Sequence, residues 1–238
     1  IVKGDTVSDL NLPSNPAELT FCSLFSGKYT GSLPGHLASL GWGKVIQVDN
    51  SPSDGGGWEH DLMNDSKYIQ LCKDAKEGKF HFLFIAFPCT TFSMSRFFPT
   101  VPPGPPVIHN LTHPDGLPAD QIDPAYANEL RTTSKLLART VHLATLARNS
   151  PSRTTLIWES PARRSVPNTP QHMEDLPLHS TVFDTTLFKR LVANTERVSP
   201  WSTCTFAWCR FNSQAQKYTT FWYTNDACLA LDTLNGPE

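Results

Sequence analysis

Phe82-Leu-Phe-Ile-Ala-Phe-Pro-Cys-Thr-Thr-Phe-Ser93 is the stretch whose reading decides the fold. An apolar run of this length, with no polar alternation, is a strand buried on both faces, as in the parallel sheets of α/β proteins. The run breaks at Pro88, and Thr90, Thr91, Ser93, Ser95 and Arg96 follow, so the chain leaves the core at Cys89. The end of a buried strand is where open α/β sheets bind their ligands. Taken alone, a cysteine is more often a small buried thiol. The polar run behind this one places its sulfur to meet a ligand.

Upstream, Thr20-Phe-Cys-Ser-Leu-Phe25 is a short strand and Ser26-Gly-Lys-Tyr-Thr-Gly-Ser32 a glycine-bearing turn. Leu33 to Leu40 then forms a helix closed by Gly41, and Lys44-Val-Ile-Gln-Val-Asp49 is a second strand ending in a carboxylate. Strand, glycine turn, helix, strand and acid is the series by which doubly wound sheets hold a nucleoside. Ser51 to Gly57 is a turn cluster, Asp61 follows in His60-Asp-Leu, and Asp65 to Glu77 can be helical.

Downstream, residues 97–122 are rich in proline and form either an ordered loop or a mobile lid, since Val-Pro-Pro-Gly-Pro-Pro fits no helix or central strand. Asp123-Pro124 reads as N-cap and first helical position. Ala127, Leu130, Ser134, Leu137, Val141 and Ala144 keep helical spacing until Asn149-Ser-Pro. Thr154-Thr-Leu-Ile-Trp158 is a further strand, ending in Glu159-Ser-Pro, and Pro161 to Pro177 is loop. Val198 to Asn225 alternates aromatic and polar residues as two strands joined across Asn212 to Gln216, with most of the rings in the core. The architecture expected is a single three-layer α/β/α doubly wound domain over residues 21–238, preceded by an arm over residues 1–20. If the strands are parallel, Asp49, Asp61, Cys89, Glu159 and the glycine turn share one edge. Asp49 then suits a ribose and Asp61 an exocyclic amine, unless Asp61 is a solvated surface acid.

Composition bounds the rest. A chain of 238 residues with 18% charged residues, 39% hydrophobic residues and a net charge of -2 suits a soluble globular domain and offers nucleic acid no global attraction. Six scattered cysteines lack the spacing of a secreted disulfide scaffold, so an intracellular, nuclear or cytoplasmic setting is expected. Cys204 and Cys209 have no matching pair for zinc, His109 and His113 sit in the proline-rich loop, and no metal is expected. No stretch has the length of a membrane span. The chain begins at Ile1, as a piece of a longer polypeptide would.

Leu24-Phe-Ser-Gly, Val48-Asp, His60-Asp-Leu, Phe87-Pro-Cys-Thr-Thr-Phe-Ser and Trp158-Glu-Ser-Pro occur in the order seen in C5 cytosine DNA methyltransferases, whose catalytic domain this chain resembles. It is also similar to compact, virus- or mobile-element-like relatives. Asn128 on a helix and a late segment from Cys204 through Lys217, Thr219 or Thr220 and Trp222 match theirs. The resemblance covers residues 20–225 and implies a Rossmann-like class I methyltransferase sheet with S-adenosylmethionine as methyl donor and S-adenosylhomocysteine as product.

In that resemblance Phe25 stacks on adenine, Ser26, Gly27 and Gly31 form the cofactor turn, Asp49 holds the ribose, Asn50 is a further cofactor contact, Asp61 meets the adenine amine and Pro88 lies near the methyl group. Cys89 adds to C6 of the cytosine and Glu159 binds its N3 and N4 edge. Arg163 and Arg164 either favour the thiolate, hold phosphate or stand solvated. Thr90, Ser93, Arg96, Arg164 and Lys217 contact substrate. The base is flipped out of DNA into the cleft, with Ser93 to Pro106 closing over it.

Departures accompany the match. Glu159-Ser160 stands where relatives have Glu-Asn, and His81 or a neighbour replaces a strand acid. Arg210 with Gln214, Gln216 and Lys217 stands for a basic Gln-x-Arg-x-Arg element, and no separate target-recognition domain fits. The same chemistry on RNA, or a silent cofactor- or nucleic-acid-binding module, are the rival expectations.

Overall fold

The computed structural model describes residues 15–26, 33–52, 56–98, 102–211, 214, 217–224, 231 and 234. Six strands, β1 (Thr20–Leu24), β2 (Lys44–Val48), β3 (Phe82–Ala86), β4 (Thr155–Pro161), β5 (Trp201–Ala207) and β6 (Tyr218–Thr224), form one sheet in the order β2-β1-β3-β4-β6-β5. The first four are mutually parallel, and β6 runs antiparallel to both of its neighbours. The result is an α/β fold with a mixed, mostly parallel sheet.

The ladder levels the strand ends. Leu24 pairs with Val48 on one side and Ile85 on the other, Ile85 pairs with Trp158, and one step further Ala86 pairs with Glu159. Phe25, Asp49 and Glu159 therefore stand in a single row, with Cys89 three residues beyond it. Because β1 is flanked by β2 and β3, the order in which the chain steps across the sheet reverses between β1 and β3, which is where parallel sheets open a crevice at their C-terminal ends.

Four helices pack on the sheet: α1 (Leu33–Ser39), α2 (Asp65–Lys76), α3 (Pro124–Arg148) and α4 (Thr186–Thr195). Their ends are chemically marked. Asn64 accepts from the amides of Ser66 and Lys67 to start α2, and Asp123 accepts from Ala125 to start α3 behind Pro124. At the end of α1, Gly41 adopts φ +82°, which lets the chain turn toward β2. α3 packs between α2 and α4. The core is the inner surface of β1, β3 and β4, where Leu24, Leu83, Ile85 and Trp158 are fully buried and Trp158 meets Phe188 of α4 edge-on at 5.2 Å.

The parallel series and the antiparallel aromatic pair agree with the sequence reading. The sequence reading contains no counterpart of helix α4 and sets no strand order, and the structure places β6 between β4 and β5. Residues 1–14 of the expected arm lie outside the described residues. The remainder is attached to the fold: Thr20 is already in β1, and a Cβ on Gly43 would come within 1.6 Å of the Ala17 carbonyl.

The described part of the proline-rich segment, 102–122, is an ordered loop. It buries Ile108 and His109, and the Leu117 amide donates to Ile108 at 2.9 Å. Among the described residues no helix is long and apolar enough to cross a membrane.

Candidate active site

Pro88 ends the ladder after β3, and Cys89 opens a tight turn over Thr90–Phe92 that the Phe92 amide closes by donating to the Cys89 carbonyl at 2.9 Å. The following residues are fastened from inside. Arg96 is buried; its Nε donates to the Thr90 carbonyl at 2.7 Å, one terminal nitrogen to Pro106 at 2.9 Å, and the other forms an ion pair with Glu129. Arg96 thus braces the Cys89 loop and is not among the residues lining the Cys89 cavity. Of the stretch expected to close over the base, residues 93–98 and 102–106 are described, and Arg96 ties them to Glu129 of α3.

Cys89 lines a cavity of about 310 Å³. Ser93 and Met94 form the wall next to it, Pro161 and Arg164 come from the end of β4, and Lys217 comes from the start of β6. Glu159 sits on β4 opposite Ala86, and its Oε1 accepts from Lys217 Nζ at 3.4 Å, so the carboxylate is joined to the cavity through that lysine. Arg164 is buried, stacks over the Tyr218 ring at 4.8 Å and donates to the Gln171 carbonyl at 3.2 Å. The cavity thus combines a fixed guanidinium with a half-buried thiol.

A second cavity of about 110 Å³ lies at the crevice between β1 and β3, lined by Phe25, Asp49, Asn50, Asp61, Pro88 and Leu136 among others. Pro88 lines this cavity while Cys89 lines the first, so consecutive residues of the chain line the two spaces. Phe25 has φ +63°, uncommon for a residue with a side chain, and its ring packs edge-on against Phe87 at 5.8 Å. Asp49 Oδ1 accepts from the Ser51 amide at 2.8 Å. Asp61 accepts from Met63 N at 2.7 Å and from Asn50 Nδ2 at 3.1 Å, so it is a fixed carboxylate in the cavity wall. The Ser26 hydroxyl pairs with that of Ser23, while Gly27 and Gly31 lie outside the described residues.

Gly56 folds the loop after β2 back on Asp49. Its amide donates to Ser51 at 2.9 Å, and a Cβ there would stand 2.0 Å from the Asp49 carbonyl oxygen. Gly56→Ala is therefore expected to push this loop off the cavity at a cost of about 1–3 kcal/mol. Hydrogen exchange should quicken at the Ser51 and Gly56 amides and stay slow at Leu83 and Ile85. Unchanged exchange at Ser51 and Gly56 would refute the close packing of this loop.

Two further expected site residues, Arg163 for catalysis and Thr90 for substrate contact, do not line the Cys89 cavity. Arg163 pairs with Asp184 at 2.9 Å and lines a different cavity, about 520 Å³, together with Lys189 and Trp222; of the two adjacent arginines it is Arg164 that faces Cys89. Thr90 contributes its carbonyl to Arg96 and does not line the Cys89 cavity. The sequence reading missed His179 and Tyr218, which also line it. Tyr218 adjoins Lys217 and could have been included; a lone histidine in a loop carries no such signal.

The other thiols differ in environment. Burial pushes Cys22 up to about 12 and raises Cys72, which keeps both protonated at neutral pH. Among the described residues no cluster of His, Cys, Asp and Glu could hold a metal ion. The chain matches no protein-family model and no curated protein, so the meaning of this constellation rests on its own geometry.

Proposed function

We propose that this chain is an S-adenosylmethionine-dependent C5 cytosine methyltransferase domain acting on DNA, as its resemblance to that family implies. The observation that carries the reading is the division of two consecutive residues between two cavities, with Pro88 lining the one that holds Asp49 and Cys89 lining the one that holds Arg164 and Lys217. A methyl donor in one space and an acceptor base in the other would meet where these two residues join.

The topology supports a three-layer, doubly wound class I arrangement. The β1-to-β2 connection moves one way across the sheet, and those from β2 to β3 and from β3 to β4 move the other way. Right-handed crossovers then put α1 on one face and α2 and α3 on the opposite one.

The smaller cavity fits the nucleoside end of the cofactor. Its walls combine apolar Phe25 and Leu136 for a ring with carboxylates for hydroxyl and amine donors, and about 110 Å³ suits a group of purine size. Asp49 would hold the ribose, Asn50 and Asp61 the amine edge, and Ser26 with the following glycine turn the remaining part. When bound, S-adenosylmethionine supplies an electrophilic methyl group.

The chain's own residues would supply the rest. Cytosine C5 is a weak nucleophile, so Cys89 as thiolate forms a bond to C6 and its electron pair moves density onto C5. Glu159, steadied by Lys217, holds the N3 and N4 edge, and Arg164 lines the same cavity as the sulfur. Once C5 carries the methyl group, it loses its proton to a base and the C6–S bond breaks, returning the thiolate. Ser160, buried beside β6, replaces the usual Asn without entering the cavity lining.

Calorimetry with S-adenosylhomocysteine, followed by labelled methyl transfer to matched DNA and RNA oligonucleotides, tests this. Transfer to DNA is the expected result. Transfer confined to RNA would move the substrate, since Cys89 and Glu159 address the base alone, and cofactor binding without transfer would favour a silent module. No binding by a folded sample would remove the proposal.

A further inference from the structure

His179 is fully buried, yet it lines the cavity beside Cys89. Its Nδ1 accepts from the Arg164 backbone N–H at 3.1 Å, and its Nε2 lies 3.2 Å from the Phe92 carbonyl. The first bond fixes the tautomer: a nitrogen that accepts is bare, so the proton sits on Nε2 and is donated to Phe92. Both ring nitrogens are engaged, which leaves the imidazole no lone pair with which to take a proton from a substrate. It is not a general base.

Its two partners belong to the two halves of the site. Phe92 closes the turn that carries the Cys89 sulfur, and Arg164 lies on the segment that emerges from β4 after Glu159. These segments have left the sheet, whose last β3–β4 pair is Ala86 with Glu159. His179 spans the gap beyond the ladder. Phe97 packs edge-on against its ring at 5.5 Å and the Ser165 hydroxyl donates to its carbonyl at 2.9 Å, so the imidazole has a fixed seat.

We propose that His179 is a positioning residue, a neutral crossbar that sets the Cys89 thiol against the Glu159 and Arg164 side of the cavity. Its catalytic consequence rests on the methyltransferase reading; its effect on the thiol rests on geometry alone.

The test uses His179→Phe, which keeps the ring and removes both bonds, with His179→Asn, which retains an acceptor near Nδ1, and His179→Gln, which retains a donor near Nε2. In His179→Phe, kcat should fall by about 10²-fold, the cost of a misplacement of about 1 Å. The KM for S-adenosylmethionine should stay within about twofold, because the loss is confined to the reacting end. Alkylation of Cys89 by iodoacetamide, followed on its own peptide, should quicken at least about threefold as the turn loosens. Asn and Gln should each restore part of both effects.

Wild-type alkylation and wild-type kcat in a folded His179→Phe protein would overturn the proposal. Should that variant fail to fold, the same comparison is read from Asn and Gln, and two wild-type results there would overturn it equally. If the parent protein transfers no methyl group but the variants still alter Cys89 alkylation, the positioning role stands and the methyltransferase reading falls.

Discussion

Replacing Cys89 by serine should abolish methyl transfer, with a loss of about 10⁴-fold or more, because a hydroxyl is not ionised at neutral pH and cannot start the addition at C6. The same change should leave the proposed cofactor site intact, since the cavity lined by Asp49 and Asp61 is lined by Pro88 and not by Cys89. Three measurements separate these effects: methyl transfer, covalent trapping on a 5-fluorocytosine oligonucleotide, and affinity for S-adenosylhomocysteine. The first two should vanish while the third stays within about twofold of the parent. A Cys89→Ser protein with more than a tenth of the parental rate would show that the sulfur is not the nucleophile. Cys22 is no substitute, because burial holds its thiol protonated up to about 12.

Acid should destabilise the fold well before its carboxylates are neutralised. Burial pushes both His109 and His179 down to about 4. His109 donates from Nδ1 to the Pro114 carbonyl at 3.1 Å, with Arg96, Asp115 and Glu129 as the charged groups around it. His179 has Arg163, Arg164 and Asp184 near it and Phe92 as hydrogen-bond acceptor.

In the unfolded chain each imidazole titrates near 6.5. Above that pH neither state carries the proton and the stability is fully present; as pH falls toward 4, the unfolded chain takes up two protons that the folded one refuses. Each histidine costs about 1.4 kcal/mol per pH unit over that window, so the pair removes on the order of 5 kcal/mol by pH 4. This rivals the whole stability of many domains. Urea unfolding at intervals from pH 7 to 4.5 should show the midpoint falling steeply below 6.5, and His109→Gln should flatten about half of the slope. A midpoint that does not move between pH 6.5 and 4.5 would mean that neither ring is buried neutral.

What could be read from the sequence was local. Asp123-Pro124 predicted the start of α3 because cap chemistry is written in adjacent residues, and the apolar run to Phe87 predicted β3 for the same reason. Helix α4 carries a signal in Phe188, Leu191 and Thr195 on one face behind the Thr185 cap, but its ten residues follow a long irregular segment, and so short a pattern does not stand out from it. The insertion of β6 between β4 and β5 had no local signal at all, since it depends on pairing between residues some sixty positions apart.

The site divides in the same way. Cys89, Glu159 and Asp49 could be placed from strand ends, because parallel strands carry their termini to one edge. Which of Arg163 and Arg164 turns inward, that Arg96 is buried with Glu129, and that His179 joins two loops are decided by side-chain packing after the chain has closed.

The placement of β6 also has a bearing on how the protein comes off the ribosome. Translation completes β4 long before it reaches Tyr218–Thr224, so throughout the intervening synthesis the flank of β4 that bears Glu159 has no hydrogen-bonded neighbour. Lys217 and Tyr218, which finish one wall around the thiol, arrive with that same late strand. A nascent chain halted before it would possess the sulfur and the carboxylate and still have no pocket to use them in.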